Sequence, residues 1–98
     1  MKQMLTIEQI VKACETAANE YPITRMELFG SYANGTNTPQ SDVDILVEFK
    51  TPSVSLITLS GLKLRLEELL GTPVDVIHSP IPKGSILEID KVVPLYAA

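Results

Sequence analysis

The sequence predicts an α/β (α+β) fold, a small mixed β-sheet of three to four strands with helices packed against it. Three observations lead there. Apolar residues recur at helical spacing in some stretches and form short strand-like runs in others, and the two kinds alternate along the chain. Glycine and proline stand at the junctions between them. Finally, a chain of 98 residues has room for one core and buries only about two thirds of its unfolded surface.

The first element is a helix over Thr6 to Asn19. Thr6 and Gln9 have the spacing of a capping box, and Ile7, Ile10, Val11, Cys14, Ala17 and Ala18 trace its apolar face. Cys14 on that face reads as a small core residue rather than a nucleophile. Tyr21 and Pro22 stop the helix, and Ile23 to Phe29 reads as a strand that ends at Gly30. Ser31 to Ala33 is expected to make one helical turn, followed by a polar loop containing Asn34, Gly35, Asn37, Thr38 and Pro39. The next strand runs from Asp42 to Phe49 and is broken by Pro52. From Ser55 the residues Leu56, Leu59, Leu62, Leu66, Leu69 and Leu70 form a stripe read as core, closed by Gly71 just past the helix end. Pro73 admits a strand over Val74 to Ile77, with His78 read as a loop side chain. Ser79 to Gly84 is expected to turn, and Ile86 to Val92 to form a short helix ended by Pro94.

Composition removes several classes of function. Apolar residues make up 45% and charged residues 20%, the balance of a folded domain rather than a disordered chain. The formal charge of −4 gives no basic footprint, so strong nucleic-acid binding is not expected. One cysteine allows neither an internal disulfide nor a cysteine metal knuckle. The N-terminal MKQMLTIEQI has no apolar signal core, and no run approaches the roughly 18 apolar residues of a membrane span. These features predict a cytoplasmic protein with no membrane partner.

The chemistry concentrates in FGSYANGTNTPQSDVDILVEF, residues Phe29 to Phe49. On a strand, Asp42 and Asp44 share a face with Cα atoms roughly 6.6 Å apart. Their charges would then repel by about 2 kcal/mol at an effective dielectric near 20. Taken alone, such a pair also suits a turn exit and a solvated strand face. With Gly30 and Ser31 before it, the pair reads as a site for hard divalent ions such as Mg²⁺, two of which, about 3.5 to 4 Å apart, clamp displacements at phosphorus. Gly30 lets backbone approach a phosphate closely, and Ser31 offers a hydroxyl and an N–H at the start of a helical turn, or else serves only as a cap. Asp75, in VDVI, is the candidate third carboxylate: it would bind one ion and help deprotonate an attacking hydroxyl if its strand lies beside that of Asp42 and Asp44. Tyr32 reads either as a surface contact or as a residue near the nucleotide base.

Gly30-Ser31, ten intervening residues, and Asp42-Val43-Asp44 resemble the signature of the polymerase-beta-like nucleotidyltransferase superfamily. Within it the chain looks like a single minimal nucleotidyltransferase domain over residues 1–98, the antitoxin half of a toxin–antitoxin pair whose toxin is a HEPN-domain ribonuclease. The likeness runs from the strand before Gly30 through TPQSDVDILVEF and PVDVI to VPLYAA. It implies a nucleotidyltransferase fold, ATP as substrate, two Mg²⁺ ions on Asp42, Asp44 and Asp75, and transfer of AMP to a tyrosine hydroxyl of the toxin, encoded by the adjacent gene. The chain departs from the pattern at Asn34, where many relatives read A-R-G. Asn34 can hydrogen-bond a phosphate but brings no charge, so Arg25 and Lys50 are the alternative sources of a cation. A protein of this fold that inhibits its toxin by covering it is the second reading. An antibiotic-modifying transferase would need a further domain to hold its acceptor.

Overall fold

The structure, a computed structural model, describes residues 5–38, 41–51, 53–78 and 92–97. Its elements are α1 (Ile7–Glu20), β1 (Ile23–Phe29), α2 (Ser31–Asn34), β2 (Val43–Phe49), α3 (Leu56–Leu70), β3 (Val74–His78) and β4 (Val93–Ala97). The four strands form one sheet in the order β3-β2-β1-β4. β1 is antiparallel to both β2 and β4, whereas β2 and β3 are parallel, so the sheet is mixed as expected. A parallel pair needs a crossover longer than a hairpin, and α3 is that crossover.

Local chemistry explains the helix ends. The Thr6 hydroxyl accepts from the Gln9 N–H at 3.1 Å and the Gln9 side chain accepts from the Thr6 N–H at 2.8 Å, completing the capping box. Ser55 caps α3 by accepting from the Thr58 N–H, and Gly71 ends it at φ 67°, a conformation favouring glycine. Arg65 of α3 reaches Glu20 at the end of α1, Nε to Oε1 at 3.0 Å, and so ties the two helices together.

One core joins both long helices to the sheet. It contains Ile10, Cys14 and Ala17 of α1, Met26 and Leu28 of β1, Val43, Ile45 and Val47 of β2, Leu62 and Leu66 of α3, Val74 of β3 and Leu95 of β4. Cys14 is fully buried, and burial, with Glu15 nearby, pushes its thiol up to about 12. Along β2 the residues between the core valines and isoleucine, Asp44, Leu46 and Glu48, point to the other face.

Three expectations change. The leucine stripe of α3 is only partly core: Leu62 and Leu66 are buried, whereas Leu56 is 80% and Leu69 37% exposed. A helix rich in leucine all round does not reveal which leucines face the sheet, and Ile57 and Leu64 are exposed as well. Pro94, expected just past a helix end, lies inside β4, an edge strand where a missing N–H is tolerated, and the register with β1 shifts beside it. His78 belongs to β3 rather than a loop, with its ring 5.4 Å from that of Phe49 in an edge-on contact. The expected turn over 79–84 and most of the expected helix from Ile86 lie outside the described residues. No helix among the described residues is long and apolar enough to cross a membrane.

Candidate active site

The site is built where β1 hands over to α2. Gly30 sits at φ 77° and ψ −154°, backbone space that essentially only glycine occupies. A side chain there is also excluded by its neighbour. A Cβ on Gly30 would overlap the Asp44 carboxylate and lie 3.1 Å from its Cγ. The bare backbone of Gly30 therefore rests directly against Asp44. Register agrees, because Phe29, the residue before Gly30, pairs with Asp44 across β1 and β2.

On the other side of β2, Asp44 stands opposite Asp75 in the parallel ladder, between the buried pair Val43–Val74 and the pair of buried Ile45 with partly buried Val76. Burial, and then the charge of Asp75, a hydrogen bond with Asp75 and the charge of Asp42, push the Asp44 carboxyl up from 3.8 to about 6. Asp75 itself is exposed. β2 begins at Val43, so Asp42 is the exposed residue just before the strand rather than part of it. Its approach is fixed by a closed loop: the Thr38 N–H donates to the Ser41 hydroxyl at 2.8 Å and the Ser41 N–H to the Thr38 carbonyl at 3.0 Å. Among the described residues no three His, Cys, Asp or Glu side chains converge as a ready metal nest. The structure thus pairs Asp44 with Asp75 and leaves Asp42 at the rim. An all-oxygen donor set, in which one carboxyl already resists ionisation, suits a hard divalent cation.

Ser31 and Asn34 open and close α2. Gly30, not Ser31, is the cap residue, and no side-chain hydrogen bond caps this turn, so the cap reading of Ser31 does not hold. Asn34 is exposed, with its N–H donating to the Gly30 carbonyl at 3.0 Å. Tyr32 is not a surface contact. It is buried with the core, and its hydroxyl accepts from the Leu5 N–H at 3.4 Å. Arg25 and Lys50 do not replace the missing cation. Arg25 pairs with Glu27 at 3.1 Å and lies five residues along β1 from Gly30, roughly 16 Å away. Lys50 follows the far end of β2, six residues and roughly 20 Å from Asp44. Sequence reading passed over Lys63 and Glu67, which bond to Val74, the residue before Asp75. Their only signal in the sequence was helical i,i+4 spacing of opposite charges.

Two cavities lie elsewhere. One of about 320 Å³ is lined by Leu5, residues of α1 and the end of α3, and another of about 430 Å³ lies between α1 and β4. Neither is lined by Gly30, Asp42, Asp44 or Asp75.

Comparison with known proteins agrees with this architecture. The profile of the nucleotidyltransferase domain family matches residues 7–94. Protein adenylyltransferase MntA of Thermococcus cleftensis is 36% identical over 87 residues, 85% of this chain and 87% of that one. A Methanocaldococcus jannaschii chain, provisionally named a protein adenylyltransferase, is 40% identical over 88 residues, 85% of this chain and 92% of that one. Two solved structures share the fold. A toxin–antitoxin complex with AMP-PNP gives a TM-score of 0.74 at 24% identity, over 96% of this chain and 75% of that one. A tri-AMPylated Shewanella oneidensis HEPN toxin in complex with its MNT antitoxin gives 0.66 at 17%, over 95% and 74%. Matched over nearly its whole length by the family profile and by relatives at this identity, the chain belongs to the nucleotidyltransferase domain family.

Proposed function

We propose that this chain is a Mg²⁺-dependent protein adenylyltransferase that joins AMP from ATP to a tyrosine hydroxyl of a HEPN-domain ribonuclease toxin encoded beside it, and so serves as a cytoplasmic antitoxin over a single domain. The observation that carries this reading is the Asp44–Asp75 pair across β2 and β3, with the bare backbone of Gly30 against it. Asp42 and Asp44 would hold two ions and Asp75 one of them, and ions bound there would supply positive charge against the triphosphate and the attacking oxygen. Gly30 leaves space for the phosphates, and the Ser31 hydroxyl and Asn34 amide hydrogen-bond to them. Asp75, exposed to the approaching partner, accepts the hydroxyl proton as the oxygen bonds to the α-phosphorus and pyrophosphate leaves. The exposure of Asp42 and Asp75 suits an acceptor presented by a macromolecule better than an enclosed small molecule. The names of the relatives and of the structural neighbours point the same way, since one neighbouring toxin is itself AMPylated.

One observation favours a second reading, inhibition by covering. Asn34 brings no charge to the phosphates, and neither Arg25 nor Lys50 is within reach. A single experiment separates the two. Toxin, ATP and Mg²⁺ are incubated with wild type or Asp44→Asn, the antitoxin is removed, and the toxin is weighed by mass spectrometry and assayed for ribonuclease activity. Adenylylation leaves a silent toxin heavier by one AMP or a small multiple with wild type only. An unmodified toxin that regains activity in both cases would mean that the protein acts by covering.

A further inference from the structure

Lys63 and Glu67 lie one turn apart on α3, where an exposed ion pair would ordinarily contribute little. Here both side chains also grip the backbone of β3. Glu67 Oε2 accepts from Lys63 Nζ and from the Val74 N–H, each at 3.0 Å, while Lys63 Nζ donates to the Val74 carbonyl at 2.9 Å. The Val74 N–H and Lys63 together hold the Glu67 carboxyl below its usual range.

The reason for this grip lies in strand geometry. β3 is an edge strand with β2 on one side. The Pro73 carbonyl accepts from the Val43 N–H of β2 at 3.1 Å, so Pro73 turns inward and alternation turns both peptide groups of Val74 outward. On a bare edge those groups would have only water or another chain to bond. Glu67 supplies the acceptor and Lys63 the donor that a further strand would have offered. The next residue is Asp75, directly opposite Asp44.

We propose that Lys63 and Glu67 are positioning residues: by fixing Val74 from outside while β2 fixes Pro73 from inside, they hold the Asp75 carboxylate in register with Asp44 so that the two share an ion. Neither touches substrate. The inference rests on the divalent-ion reading of Asp44 and Asp75, and its test separates the two ideas.

The test uses the purified chain with Mn²⁺ and a non-hydrolysable ATP analogue, Mn²⁺ affinity being read from water-proton relaxation below the melting temperature of every variant. Removing a group that orients a metal ligand commonly costs 10- to 100-fold in affinity. Glu67→Ala is expected to weaken Mn²⁺ binding roughly tenfold. Glu67→Gln, which keeps an acceptor for the Val74 N–H, should stay within about threefold of wild type, and Lys63→Met should fall between them. Asp75→Asn should lose at least as much as Glu67→Ala, and Glu67→Ala should cost nothing further in the Asp75→Asn background, because the clamp acts through that one carboxylate. Wild-type affinity in Glu67→Ala with weakened binding in Asp75→Asn would overturn the clamp and leave the ion site standing. Fully additive losses would also overturn it, by making the effect a general loosening of the fold. Wild-type affinity in Asp75→Asn would remove Asp75 from the site and the clamp with it. Should Glu67→Ala fail to fold, Lys63→Met decides on the same criteria.

Discussion

Asp44→Asn should make the metal-free protein more stable at neutral pH. Burial, then Asp75 and Asp42, hold the Asp44 carboxyl at about 6 against an ordinary 3.8. A displacement of that size is worth at most about 3 kcal/mol, and because Asp44 is only partly buried, solvent screening reduces the expectation to about 1 kcal/mol. The sign follows from proton binding. Between pH 3.8 and about 6 the folded chain holds more protons at Asp44 than the unfolded chain does, so this group's contribution is complete below pH 3.8 and is lost as pH rises through about 6. Asparagine does not titrate and keeps the shape, so its advantage should be absent near pH 3.5 and fully present above pH 7. For a chain of this length, 1 kcal/mol corresponds to a rise of roughly 4–8 °C in Tm. Thermal melts in EDTA at pH 3.5, 5, 6 and 7.5 measure it, with Mg²⁺ added in a parallel series that should stabilise wild type and not the variant. No gain at pH 7.5, or a gain of equal size at pH 3.5, would refute the reasoning.

Gly30→Ala should lower Tm, by an amount corresponding to roughly 1–3 kcal/mol for the strained backbone alone, and should abolish AMP transfer, because its methyl group must displace the Asp44 carboxylate; unchanged melting and transfer would show that the contact relaxes freely. Mg²⁺ with ATP should raise Tm more than ATP with a chelator, a ligand at 100 times its Kd adding about 2.7 kcal/mol, and equal shifts in scanning fluorimetry would count against a divalent site. Asn34→Arg should tighten ATP binding, since a charge-assisted contact contributes roughly 1.5–3 kcal/mol when desolvated and less at this exposed position. Calorimetric titration showing no gain in a folded variant would mean that position 34 does not face the phosphates.

Most of the scaffold was legible because its signals are local. The strand Ile23–Phe29 is bounded by Pro22 and Gly30, the caps Thr6, Ser55 and Gly71 announce their own helix ends, and each of these depends on residues a few positions away. Features set by tertiary packing were not legible. Which leucines of α3 face the sheet depends on how the helix is rotated, so Leu56 and Leu69 were misread as core. Pro94 is a helix breaker by habit, and only the position of β4 at the sheet edge makes it a strand residue. At the candidate site the aspartates and Gly30 stood out by residue type. That Asp75 would meet Asp44, with Asp42 left at the rim, is decided by the parallel register of β2 and β3. The role of Lys63 and Glu67 was invisible because an ion pair on a helix looks the same whether or not a strand edge lies beside it.

The buried Cys14 has a practical use in all of these measurements. It is the single cysteine of the chain, it is closed off within the core, and its thiol is held at about 12, so thiol reagents meet almost no thiolate while the fold is shut. Labelling must then wait for α1 to lift from the sheet. The rate at which a disulfide reagent or iodoacetamide modifies the native protein therefore reads the population of opened molecules directly, at constant temperature and without denaturant. Applied to Asp44→Asn at pH 7.5, a stabilisation of about 1 kcal/mol should slow that reaction roughly fivefold wherever global opening governs it. The chain thus carries its own clock for unfolding, installed at a position that the candidate active site does not use.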